Sequence, residues 1–487
     1  MLYFICDSMK ALVYGVKNSI YEIIYFILYT LTSIFIRKLL IENINIEVVA
    51  LQQVLHQIIT IVTLIEFGIS NILVFYLYPA IKRGNKSKVS NIMNSFKKKY
   101  ILIAGTAFIL GLVMIPFLSF FVNDFKTPLN YILIYLIMLI QNVSILLFSY
   151  KKFLLQADQK SYIYLRIMII YKLLYLLVAY LIIKFTNNCY IYYAILCLSE
   201  ILTYITISKV VDKKYDYIKK DAVNEKAYDK EIVKHIKSTG VSKVFSELTS
   251  SIDIFVISFM SNGYNLGLYT NYFSIFTSIY LIVMKIFDSF KATVAKYMDS
   301  NSLDYSFQVF KLFEVSGYVM SLLVAVVFYV TIDFLITIWL GSKYILSNSI
   351  PLLLSIQLFF YIHRMSLWNT IGINGWFSIS KVSDFLGTTI NLVLSIILYS
   401  KLEIPGVILA TIIAQVVQYI IETHHILKEF NQLNLKVIFD YILYIIFYII
   451  ILISIVNKCI FLIPIIVLGI IYLLKLIRGR YKYVFKN

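Results

Sequence analysis

Charge is scarce in this chain: 14% of its 487 residues are Asp, Glu, Lys or Arg, against about 25% in soluble domains. Hydrophobic residues make up 60%. Together these exclude an ordinary soluble enzyme and a disordered segment. Cys6, Cys189, Cys197 and Cys459 follow no metal or disulfide spacing. No P-loop, zinc-type histidine spacing or nucleophile elbow occurs. No loop exceeds about 30 residues, too short for a catalytic domain outside the apolar segments. The alternating ten-residue segments of a membrane β-barrel are also missing. No small-residue cleavage site follows the first apolar segment, which is therefore expected to remain as a transmembrane helix. The His424–His425 pair falls at the end of an apolar segment and reads as interfacial rather than metal-binding. The Asn142–Ser144 sequon lies inside another such segment and carries no meaning there.

Long uncharged runs are what the chain does have. Residues 100–122, YILIAGTAFILGLVMIPFLSFFV, contain no charge, and about 20 apolar residues span a bilayer as a helix. The fold class is therefore all-α, a polytopic membrane protein. Fourteen spans are predicted, at 19–40, 49–78 (broken near Gly68), 100–122, 130–149, 161–183, 189–208, 240–261, 265–284, 312–332, 346–372, 382–400, 405–427, 438–457 and 459–474. An even number puts both termini on one side.

The formal net charge of +18 would suggest nucleic acid in a soluble protein. Here most Lys and Arg fall in short connections, where they set topology, and no nucleic-acid partner is expected. Segment 82–99, KRGNKSKVSNIMNSFKKK, holds basic residues and no acid. Lys38, at the far end of span 1, and Lys126, Lys184, Lys343, Lys401 and Lys458, in connections, are the only cations that fall on the opposite side of this segmentation. The positive-inside rule then places both termini in the cytoplasm, with the protein multi-pass in the cytoplasmic membrane. The mixed-charge stretch 212–238 divides six spans from eight. The expected organisation is an N-terminal six-helix lobe (1–211), a cytoplasmic linker (212–238), a C-terminal six-helix lobe (239–427) and an extra helix pair with a basic tail (428–487). Spans 2 and 8 both run into similar polar segments, from Pro79 and from Ala292, a weak sign of the internal repeats common in transporters.

Charges within spans are costly, and they mark a partner or a watery path. The candidates are Arg37, Glu66, Arg166, Lys172, Glu200, Lys243, Glu247, Asp253, Arg364, Asp384 and Glu422. Arg37, near a helix end, either snorkels outward or faces a cavity. Lys243 and Glu247 are four apart and can neutralise each other. Arg166 and Lys172 are six apart and point in different directions. Glu66 immediately precedes the expected break in span 2. Guanidinium forks match phosphate oxygens, so such cations suit an anionic substrate such as a phosphorylated lipid. The acids beside them suit proton or sodium coupling.

Four blocks carry a resemblance. LIEFGISNILVFYLYPAIKRGNKSKV (64–89), LLQADQKSYI (154–163), SIDIFVISFMSNGYNLGLYTNYFSI (251–275) and INLVLSIILYSKLEIPGVILATIIAQ (390–415) resemble, in order, segments of Wzx-type polysaccharide (O-antigen or capsule) flippases. These belong to the multidrug/oligosaccharidyl-lipid/polysaccharide exporter superfamily. The resemblance spans about residues 19–427. It implies two six-helix lobes around a cavity and a flippase for undecaprenyl-pyrophosphate-linked oligosaccharide. It further implies alternating access, a coupling ion (proton or sodium), membrane lipids as surroundings, and a polysaccharide polymerase as functional partner. In the related lipid II flippases an Arg of the first helix faces the cavity, and Arg37 falls at the matching place. Arg364 falls where the family often has an Arg in span 10. The expected substrate-binding residues are Arg37, Arg364, Lys243, Arg166 and Lys172, and the expected ion-coupling residues are Glu66, Glu247 and Asp253. No catalytic residue, metal centre or cofactor is expected. The chain departs from the family at 41–47, IENINIE, where Gly often follows the first-helix Arg. A drug or cation antiporter of the same superfamily also fits these features. A membrane-embedded polysaccharide polymerase fits less well, because the longest external segment, around 333–343, is short.

The topology is open to a direct check. In a cysteine-free background, Ser90→Cys is expected to resist membrane-impermeant thiol reagents applied to intact cells. Ready labelling there would overturn the assignment.

Overall fold

The computed structural model describes residues 2–64, 66, 69–122, 124–126, 128–219, 241–299 and 302–433. Most of the expected linker and both spans of the expected C-terminal pair (438–457 and 459–474) lie outside them. The described residues form helices and turns, with no strand among them.

Helix α1 covers Leu2–Asn43, α2 Ile46–Thr63, α3 Ile69–Lys82, α4 Lys86–Met114, α5 Leu118–Val122, α6 Tyr131–Ala157, α7 Ser161–Thr186 and α8 Cys189–Lys214. Then come α9 Val241–Met260, α10 Gly263–Asp299, α11 Leu303–Trp339, α12 Ser349–Asn374, α13 Phe377–Leu402 and α14 Ile404–Glu429. Each of the first twelve predicted spans has a counterpart. The second is α2 plus α3, interrupted where expected, and the third is α4 continued through a 3-10 turn into α5. Eleven helical stretches are long and apolar enough to cross a membrane. The chain is a multi-pass membrane protein. Helix α9 falls outside the eleven; it carries Lys243, Glu247 and Asp253.

Asparagine and serine punctuate the helices. The side chains of Asn45, Asn85, Asn130, Asn188 and Ser302 accept hydrogen bonds from backbone N–H groups in the first turns of α2, α4, α6, α8 and α11, which have no partner within the helix. The polar segment after span 8 is largely helical. α10 runs on to Asp299, and the Ser302 cap starts α11 at Leu303, nine residues before the predicted span. At 37 residues, α11 is about 56 Å long, more than the ~30 Å hydrocarbon layer.

The chain divides into two compact units, the first Met1–Glu247 with Ser258–Gly267, the second Leu248–Ile257 with the residues from Leu268 onward. In the first, Phe96, Tyr100 and Ile103 of α4 share a core with Tyr150 and Leu154 of α6 and with Ile207 and Val211 of α8. Tyr135 of α6 donates a buried hydrogen bond to the Gly111 carbonyl of α4 at 2.9 Å. In the second, α12 and α14 are largely buried. Helix α11 presents an exposed apolar stripe of Leu323, Val327, Val330, Phe334 and Ile338, spaced so as to share one helical face, as lipid contact requires.

Helices α13 and α14 meet through a tight turn. Glu403 adopts φ 54°, Pro405 opens α14, and a Cβ at Gly406 would fall 2.4 Å from the Leu398 carbonyl oxygen. Because that neighbour is backbone, it cannot rotate away. Gly406→Ala is expected to cost about 1–3 kcal/mol through overpacking, read as a lower thermal midpoint of the purified protein.

Candidate functional site

In the first unit, the charged side chains lie among tyrosines. Lys172 of α7 pairs with Glu200 of α8 at 3.7 Å. Its ammonium also sits 4.8 Å from the Tyr29 ring of α1 and 5.1 Å from that of Tyr175, both within cation–π range. Lys152 of α6 lies 5.5 Å from the Tyr204 ring of α8. Glu66 sits in the break between α2 and α3, and the Tyr100 hydroxyl donates to it at 3.5 Å. Arg37 is half-buried on α1, while Arg166 is exposed on the second turn of α7. Closer to the helix ends, Lys151 is held by Asp212 at 2.6 Å and by Ser208 at 2.8 Å. The sequence reading passed over Lys152. It lies just beyond the predicted end of span 4, and α6 continues past it to Ala157.

In the second unit, the charges are packed more tightly. Arg364 of α12 donates from Nε to Glu422 Oε2 at 2.9 Å and from Nη1 to Gln418 Oε1 at 2.7 Å. Its Nη2 reaches Glu422 Oε1 at 2.6 Å and Asp384 Oδ1 at 3.1 Å. Ser383 adds a bond to Glu422 at 2.9 Å. Gly387 makes this possible: a Cβ there would overlap the Gln418 side chain. The guanidinium of Arg364 is thus committed to α13 and α14, and a phosphate bound there would have to displace a carboxylate.

Asp253 of α9 is surrounded by neutral oxygens. Thr411 of α14 donates to its Oδ1 at 2.7 Å, and Tyr269 of α10 donates to Oδ2 at 3.3 Å. The amides of Asn391 and Gln357 face the same carboxylate. Thr411 Oγ1 also lies 3.1 Å from Asn391 Oδ1 and 3.2 Å from the Val407 carbonyl. Ser395 donates to Asn391 Oδ1 at 3.0 Å. A hydroxyl carries one hydrogen, so Thr411 cannot serve three acceptors at once. The cluster is rich in oxygen and short of positive charge, since no Lys, Arg or His among the described residues pairs with Asp253. Hard cations bind through such oxygen sets.

The structure therefore gathers Asp253 with Asn391, Thr411, Ser395 and Gln357, and Arg364 with Asp384 and Glu422. The neutral partners of Asp253 left no trace in hydropathy. The side chain of Lys243 lies outside the described residues, and Glu247 is half-buried on α9.

No family model matches the chain, and no curated protein matches it. Solved structures do. A multidrug resistance MATE family transporter of the MOP superfamily, in an inward-facing conformation, superposes with a TM-score of 0.65 at 12% identity, covering 83% of this chain and 96% of that one. Lipid II flippase MurJ, in an inward closed conformation, superposes at 0.63 with 17% identity, covering 97% of this chain and 99% of that one. The Vibrio cholerae MATE transporter VcmN, in its bent form, superposes at 0.57 with 12% identity, covering 87% and 99%. The chain shares the fold of these structures, which are transporters and a flippase.

The Arg364 network is open to a stability test. Removing one partner of a buried ion pair costs about 3–5 kcal/mol, because the other charge is stranded. Glu422→Gln is expected to lower the thermal midpoint strongly. Arg364→Met combined with Glu422→Gln and Asp384→Asn is expected to recover much of the loss.

Proposed function

We propose that this chain is a flippase that moves an undecaprenyl-pyrophosphate-linked oligosaccharide from the inner to the outer leaflet of the cytoplasmic membrane for surface polysaccharide synthesis. The observation that carries this reading is the superposition on lipid II flippase MurJ along nearly the whole of both chains, whereas the MATE transporter above matches 83% of this one. The antiporter reading rests on those MATE neighbours and is the alternative. A pyrophosphate bearing sugars cannot cross hydrocarbon unaided, so a cavity must open first to one side and then to the other. The proposed halves are 1–211 and 239–427. Arg37, Arg166, Lys172 and Lys243 are the proposed contacts for the anionic group. Arg364, expected from the sequence to share that role, is held by Glu422 and Asp384 within the second unit. The product would pass to a polysaccharide polymerase.

Transport in one direction needs an energy source that binds the two states unequally. In this reading Asp253 takes the coupling ion, and sodium fits its oxygen donors best. Glu66 and Glu247 are further coupling candidates. A ligand that binds the folded state raises apparent stability by mass action, about 2.7 kcal/mol at one hundred times its dissociation constant. Sodium, but not choline, is expected to raise the thermal midpoint of the purified protein. Asp253→Asn and Thr411→Val are expected to remove that rise. In proteoliposomes, sodium-stimulated flipping of a fluorescent undecaprenyl-pyrophosphate oligosaccharide should fall at least tenfold in both variants. Sodium-insensitive stability in the wild type would overturn the ion assignment. Absence of flipping under any cation gradient would overturn the flippase reading.

A further inference from the structure

Three helices serve both the Asp253 cluster and the Arg364 network, and on each the two contributions are seven residues apart. Helix α12 supplies Gln357 to the first and Arg364 to the second. Helix α13 supplies Asn391 and Asp384, and α14 supplies Thr411 and Gln418. Seven residues are two helical turns, about 10.5 Å along the axis, and return a side chain to nearly the same face. Helix α13 runs antiparallel to its two neighbours. Its lower-numbered residue therefore shares a layer with the higher-numbered residues of α12 and α14. Helix α9 connects the layers. One turn before Asp253, the Thr249 hydroxyl lies 2.6 Å from that of Thr388 on α13. Thr388 donates its one hydrogen to the Asp384 carbonyl at 2.7 Å, so Thr249 is the donor between the two threonines.

Apolar packing fixes the rotation and height of a helix in lipid only weakly. The Arg364 layer fixes both. A guanidinium holds its donors in a rigid planar fork, and this one ties α12 to α13 through Asp384 and to α14 through Gln418 and Glu422. Helices α13 and α14 are tied to each other as well. The Ser383 hydroxyl donates to Glu422 at 2.9 Å, and the Gln418 amide donates to the Ser383 carbonyl at 3.3 Å. Turning or sliding any of the three helices against this clamp displaces Gln357, Asn391 or Thr411 in the other layer. A binding constellation tolerates displacements of only about 0.5 Å.

We propose that Arg364 is a positioning residue for the cation site at Asp253. By clamping α12, α13 and α14 it sets the spacing of the oxygen and amide groups two turns away, and a bound cation tightens the Arg364 layer in return, because such coupling is reciprocal. The inference rests on the reading of Asp253 as the ion site and is independent of the cargo.

The test is a sodium titration of the purified protein at constant ionic strength, with choline as the replacement cation and affinity read from the rise in thermal midpoint. Arg364→Lys keeps the charge and loses the fork; it is expected to weaken sodium binding at least fivefold. The triple variant Arg364→Met, Asp384→Asn, Glu422→Gln is expected to show the same weakening although its stability recovers, and either variant suffices if the other fails to fold. A second buried pair in the same unit supplies the control. Lys311 and Glu314 of α11 are 2.7 Å apart with fully buried side chains, and Glu314 lies 3.8 Å from His363. Helix α11 contributes no residue to the cluster described at Asp253. Glu314→Gln is therefore expected to lower the thermal midpoint and leave sodium affinity unchanged. Unaltered sodium affinity in the Arg364 variants, or an equal loss in Glu314→Gln, would overturn this inference alone. A wild type indifferent to sodium would overturn the ion assignment and this inference with it.

Discussion

Hydrocarbon cannot solvate a charge, and the interior of this protein is arranged around that constraint. Charged groups that enter the bundle meet polar partners there. In the second unit, α12 carries Arg364 against acids of α13 and α14, while α9 carries Asp253 against the hydroxyls and amides of four other helices. These contacts dictate which helix faces meet. Apolar packing alone would not, because lipid tails are as apolar as leucine and give helices no hydrophobic reason to associate.

The two units meet the constraint differently. In the second, the charged side chains are sealed, and their partners are other ionised groups or convergent oxygens. In the first, Lys172, Glu200 and Lys152 are only partly covered, and aromatic faces share their stabilisation. Tyr29 is half exposed in the middle of a spanning helix. A tyrosine offers a hydroxyl and an apolar face together, which suits a partly exposed position within a spanning helix.

Small residues decide how closely the polar partners approach. Gly387 leaves room for Gln418, and so for the third hydrogen-bonding direction of Arg364. Gly406 lets α14 begin against α13, which sets the height of Thr411 relative to Asn391. Neither glycine touches a charge, yet a side chain at either would shift the groups that do.

Composition and the long apolar runs were enough to define an all-helical membrane protein. They also placed twelve spans whose helices exist, because membrane insertion is decided locally, by about 20 residues at a time. The charge asymmetry predicted an orientation on the same local basis. Individual charged residues inside spans could be marked, since a charge in an apolar run is conspicuous. Their partners could not. Thr411, Asn391 and Gln357 are neutral and unremarkable in hydropathy. Lys311 and Glu314 stood just outside or at the edge of the predicted ninth span, because the sequence reads where apolar residues begin rather than where a capped helix begins. His363 was hidden beside the more conspicuous Arg364. Which charge meets which oxygen depends on the rotation and height of helices far apart in the chain, and only tertiary packing sets those.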